Sequence, residues 1–116
     1  DGTDSTSNIA EVYDPSLTSW ESIASPPINL TQHAGVALNG ALYVFGGISS
    51  SAPLSTVLAY DPASDSWSYK TDMPNSLNDQ CAAAVNGKIY LIGGYKNGGG
   101  GPYSYVYEYD PSKEFL

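Results

Sequence analysis

Two stretches of this chain are copies of each other, 47 residues apart. Tyr13-Asp14-Pro15 returns as Tyr60-Asp61-Pro62, Trp20 as Trp67, and Asn39-Gly40 as Asn86-Gly87. Leu42 to Gly47, reading LYVFGG, returns as Ile89 to Gly94, reading IYLIGG. A third Tyr109-Asp110-Pro111 follows at an offset of 49, so two extra residues lie between Gly94 and Tyr109. A fixed period of this length marks an array of one supersecondary unit, each unit burying its apolar faces on the next.

The unit reads as four strands, a to d. Strand a is His33 to Leu38 and its copy Cys81 to Val85, small and apolar, as expected of a strand packed on both faces. Asn-Gly follows, which suits a two-residue hairpin turn with positive φ at both positions. Strand b is Ala41 to Phe45, copied as Lys88 to Ile92, and ends in Gly-Gly. Strand c is Val57 to Tyr60, with copies Ile9 to Tyr13 and Tyr105 to Tyr109, and Asp-Pro stops it. Proline cannot donate to a ladder, and aspartate bonds to backbone N–H groups in the turn. Strand d holds Trp20 to Ile23 and Trp67 to Thr71. Gly and Pro recur too often for helical repeats, and no long 3.6-residue stripe survives. Four antiparallel strands make one twisted blade, which must stack face to face with others around an axis. The aromatics Tyr43, Tyr60, Trp67 and their copies are expected to fill the space between blades.

The order Asn-Gly, apolar-Tyr-apolar-apolar-Gly-Gly, Tyr-Asp-Pro, Trp and Met-Pro resembles the kelch repeat of β-propellers. Its signature positions here are Gly46, Gly47, Tyr60 and Trp67, then Gly93, Gly94 and Tyr109, with Trp20 in the leading partial copy. The resemblance implies an all-β, kelch-type propeller segment of four-stranded antiparallel blades that leaves the ring incomplete. Residues 1–25 supply strands c and d of a first blade, 31–72 a complete blade, and 79–116 strands a to c of a further one. Leu116 stands where Trp20 and Trp67 stand in the other copies. Further blades or self-association are expected to cover the exposed end faces.

Composition narrows the partners. Net charge is −8, with four lysines and no arginine, which argues against nucleic acid and against anionic membranes. The longest apolar run is strand-sized, so no membrane insertion is expected. Only 14% of residues are charged, although polar residues abound, which points to an extracellular or cell-surface setting. Asn29-Leu30-Thr31 fits a glycosylation acceptor on a loop. Cys81 is the one cysteine and is read as a small buried residue, not a nucleophile.

No catalytic residue, metal site or cofactor is expected. The paired glycines lack the Lys-Ser/Thr of a phosphate loop. His33, the only histidine, reads as a polar group opening strand a. The loops between strands b and c and between d and a emerge on one face, the face that kelch relatives use for partners. Tyr95, Lys96, Asn97, Tyr103 and Tyr105, with Asn78, Gln80, Gln32 and His33, are the expected contacts for a protein or carbohydrate ligand. The expected function is a non-catalytic binding or scaffold module. Its alternative is a segment of a propeller enzyme, similar to galactose oxidase or to a sugar epimerase.

Overall fold

The computed structural model describes residues 7–49, 52–96, 102 and 104–113. These form β1 (Glu11–Asp14), β2 (Ser19–Ser22), β3 (Ala34–Leu38), β4 (Ala41–Phe45), β5 (Ile48–Ser49), β6 (Ala52–Pro53) and β7 (Val57–Asp61). Then come β8 (Ser66–Lys70), β9 (Leu77–Asn78), β10 (Cys81–Val85), β11 (Lys88–Ile92), β12 (Tyr95–Lys96) and β13 (Val106–Tyr109), followed by one 3-10 turn, Pro111–Lys113. There is no α-helix among the described residues.

Three antiparallel sheets carry the fold: the hairpin β1-β2, the four-stranded β3-β4-β7-β8, and the three-stranded β10-β11-β13. They are the successive blades that the repeat predicts, stacked face to face, and among the described residues they do not close a ring. The registers repeat as the sequence does, with Leu42 opposite Tyr60 in one blade and Ile89 opposite Tyr109 in the next.

The turns form for the reasons the residues suggest. Asn39-Gly40 has φ of 52° and 80°, and Asn86-Gly87 has 52° and 79°, the doubly positive geometry that twists with the flanking strands. At the Asp-Pro turns, Asp14, Asp61 and Asp110 each accept a backbone N–H two residues on, at 2.9, 2.9 and 3.0 Å.

Packing is face to face. Between the second and third blades, Phe45, Val57, Met73, Leu77, Ile89 and Leu91 form one core, with Tyr43, Tyr107 and Tyr109 packed against it. The Tyr109 ring meets Phe45 edge-on at 5.5 Å. The opposite face of the second blade buries Leu30, Val44 and Leu58, with Trp67 against them.

Two expectations need correction. Strand a is packed on one face only, because β3 and β10 lie against each other and no described strand covers the far face of β10: along β10, Ala82 and Ala84 are half-buried, whereas Cys81, Ala83 and Val85 are exposed. Cys81 is therefore an exposed free thiol, not a buried residue. The segments after the double glycines are also more than loops. Ile48–Ser49 pairs with Ala52–Pro53, and Tyr95–Lys96 pairs with Leu77–Asn78.

Candidate functional loop face

The b–c and d–a segments do meet. Tyr95 pairs with Asn78 and Lys96 with Leu77, while Thr31 bridges to Ile48 in the preceding unit. Each strand b thus runs on past its glycines to hold the segment that enters its own blade. Glycine is required there. A Cβ on Gly47 would lie 2.6 Å from the Thr31 carbonyl oxygen, and one on Gly94 would lie 2.9 Å from that of Asn78.

On this face two successive units touch through polar groups. Gln32 and Asp79 are repeat copies of each other, and both adopt left-handed backbone, with φ of 57° and 60°. The Asp79 N–H donates to the Gln32 carbonyl at 2.9 Å. The Asn78 amide donates to Gln32 Oε1 at 3.1 Å and to Asp79 Oδ2 at 3.3 Å. Gln32 and Asp79 are exposed and Asn78 is half-buried. Asp79 was not among the residues expected at the site; its signal was its place, one offset from Gln32.

The other expected contacts divide. Tyr95 is 42% exposed beside Asn78. His33 packs its Cβ against Gly47, and partial burial holds its imidazole pKa below the ordinary value. Tyr105 sits at the start of the third blade's strand c, 39% exposed, with its ring 5.6 Å from that of Tyr107. Lys96 is in β12. Asn97 and Tyr103 lie outside the described residues. Gln80 turns inward: it is buried, and its amide donates to the Phe45 carbonyl of the preceding blade at 3.0 Å. Gln80 is thus a clasp at the seam between blades, next to Gly46, whose own Cβ would collide with the Leu77 carbonyl at 2.3 Å.

A second clasp, at Asp65, escaped the sequence reading. One oxygen of its carboxylate accepts the Tyr60 hydroxyl at 2.7 Å and the Ala24 N–H of the preceding unit at 2.9 Å. Beside it, Trp67 Nε1 donates to the Ala24 carbonyl at 2.7 Å. The Ala24 N–H and the Tyr60 hydroxyl hold the Asp65 carboxyl below its usual range, and Asp65 in turn pushes the Tyr60 phenol up to about 12. The available signal was a carboxylate two residues before Trp67, beside a tyrosine whose buried hydroxyl needs a partner. The clasp ties the start of the Ala24–Gln32 segment to the blade that the segment enters.

Residues 30–74 and 77–114 match the family model described as the kelch motif. Among solved structures, the one titled "Structure of YjhT" matches with a TM-score of 0.61 at 29% sequence identity. The match takes in 67% of this chain and 25% of that one, so the chain spans about a quarter of that structure's length. No curated protein matches.

Proposed function

The chain belongs to the kelch-motif family, and from that premise we propose that it is a non-catalytic binding module whose d–a and b–c segments form the recognition face. One observation carries the reading: successive blades bring Gln32, Asn78 and Asp79 into a single hydrogen-bonded cluster, with Tyr95 exposed beside it. Amide groups with spare donors and acceptors, set on strand-anchored backbone next to a tyrosine face, suit a partner that is stacked and hydrogen-bonded. A protein loop or a carbohydrate has that chemistry. A nucleic acid does not fit a chain of net charge −8. The polar but weakly ionic composition supports an extracellular or cell-surface setting, where the exposed Asn29 would be an acceptor for glycan.

The test is a titration of the intact protein, followed by amide NMR, against a panel of oligosaccharides and candidate protein partners. Asn78→Ala and Tyr95→Ala are each expected to weaken binding about tenfold, roughly 1.4 kcal/mol. An affinity indifferent to both substitutions places recognition elsewhere and rejects the proposal.

A further inference from the structure

Between the second and third blades lies a cavity of 190 Å³, lined by Phe45, Val57 and Leu91 with Thr71, Tyr107 and Tyr109. The Tyr109 hydroxyl is buried and, among the described residues, has no hydrogen-bond partner. An apolar cavity of about 150 Å³ already holds an aromatic ring, and a buried hydroxyl without a partner is costly.

The repeat shows which ring the cavity is shaped for. Thr71 and Leu91 are the copies, 47 residues on, of Ala24 and Val44, and Tyr107 and Tyr109 are the copies, 49 residues on, of Leu58 and Tyr60. In the preceding joint those four surround Trp67: it bonds to Ala24, packs on the cluster of Val44 and Leu58, and has its ring centroid 5.0 Å from that of Tyr60. The cavity is therefore the copy of the Trp67 seat, and such a seat holds an indole. β8, which carries Trp67, pairs with β7. β13 is the copy of β7, and among the described residues it pairs with β11 alone. The chain has two tryptophans, and Trp67 is already seated. The other, Trp20, is 66% exposed on β2, which among the described residues pairs with β1 alone. Trp20 is tilted against Tyr13 much as Trp67 is against Tyr60. Thr18, at the place of Asp65, shares its left-handed backbone, with φ of 48° against 49°.

We infer that the seat takes Trp20 of a second copy of this chain. β2 of one copy adds to the free edge of β13 of the other as its strand d, with Trp20 opposite Tyr109 as Trp67 is opposite Tyr60. The packed joint between the second and third blades is thereby continued outward by one more strand. In this register the Thr18 hydroxyl, which donates to the Leu17 carbonyl at 2.7 Å, offers a lone pair to the Tyr109 hydroxyl. The register also sets Glu21 opposite Glu108, whose carboxylate already lies 3.7 Å from the Lys88 ammonium. Like charges opposed across strands weaken the pairing. Seat and tryptophan are different surfaces, so association runs head to tail and continues beyond a dimer.

The test is sedimentation of the intact chain over a range of concentrations. The average mass is expected to rise with concentration, and to rise earlier for Glu21→Lys, which turns a like-charge contact into an opposite one. Trp20→Ala removes the inserted ring, and Thr71→Trp fills the mouth of the seat from an exposed position. Each is expected to weaken association about thirtyfold, the scale of a lost tryptophan hot spot. Mixed in equal amounts, the two variants are expected to form a 1:1 pair that neither forms alone, and nothing larger. Excess N-acetyl-tryptophanamide is expected to dissociate the wild-type assemblies. A wild-type chain that stays monomeric overturns the inference, as does association indifferent to Trp20→Ala or to the added indole. Saturable binding of N-acetyl-tryptophanamide to a chain that never associates also overturns it, and assigns the seat to a tryptophan of another protein.

Discussion

The pairs Tyr13–Trp20 and Tyr60–Trp67 are the same motif in two settings. Their ring centroids lie 5.2 and 5.0 Å apart, with planes tilted by 50° and 46°. Both span the cross-strand pairing of strands c and d. Yet Tyr13 is 42% and Trp20 66% exposed, whereas Tyr60 is only 7% exposed and Trp67 reaches across to the neighbouring unit. The hairpin sets how the two rings meet. The blade beside it, and the strands a and b it joins, set how much water they lose. Geometry is thus local, and stabilisation belongs to the joint between blades.

The largest test of that division is a pair of truncations. Trp67→Ala removes an aromatic from a packed joint and leaves the Ala24 carbonyl without its indole donor. It is expected to cost about 3–5 kcal/mol in chemical denaturation. Trp20→Ala removes the same side chain from an exposed hairpin and is expected to cost less than about 1.5 kcal/mol, the range of an aromatic pair. Equal costs would mean that ring pairing, not the joint, carries the energy.

This also explains what could be read from the sequence. The strands, the Asn-Gly turns and the three Asp-Pro stops were legible because each depends on a few adjacent residues. Burial that depends on a neighbour was legible for the large aromatics Tyr43, Tyr60 and Trp67 but not for smaller groups: Cys81 reads as a small core residue, but its side chain points away from the second blade. Gln80 reads as a surface contact, but its amide finds Phe45 at a sequence distance of 35 residues. Asp65 went unnoticed because its partner Ala24 is 41 residues away and has no side-chain signature.

The Asp65 clasp offers the next largest contrast, this time in pH. Its carboxyl is held below the ordinary range, so its contribution is complete above about pH 4 and is lost as pH falls through the depressed value. Tyr60 is displaced the other way, to about 12. Its contribution is complete below the ordinary phenol value of about 10 and disappears as pH rises from there through 12. Asp65→Asn should therefore lower Tm at neutral pH and flatten both limbs of the Tm–pH curve. At the equivalent position of the first hairpin stands Thr18, and Thr18→Asn should leave the curve unchanged. If it alters both limbs as Asp65→Asn does, the inter-blade carboxylate is not their cause.

The smallest effect sharpens the comparison from the opposite side, because here the two settings should agree. Gly40 and Gly87 close the a–b turns of the second and third blades with φ of 80° and 79°. A Cβ at either would meet nothing within 4 Å. Alanine at these positions carries only the cost of a left-handed backbone, about 1–2 kcal/mol, with no clash added. The cost arises within the turn itself, so it does not depend on which blade lies alongside. Gly40→Ala and Gly87→Ala are expected to destabilise by the same amount within a few tenths of a kcal/mol. Gly46→Ala, at φ 60° and facing the Leu77 carbonyl across the joint, should exceed both. Unequal costs for the two turn glycines would show that the joints reach as far as the a–b turns, and that local geometry is not independent of the neighbouring blade.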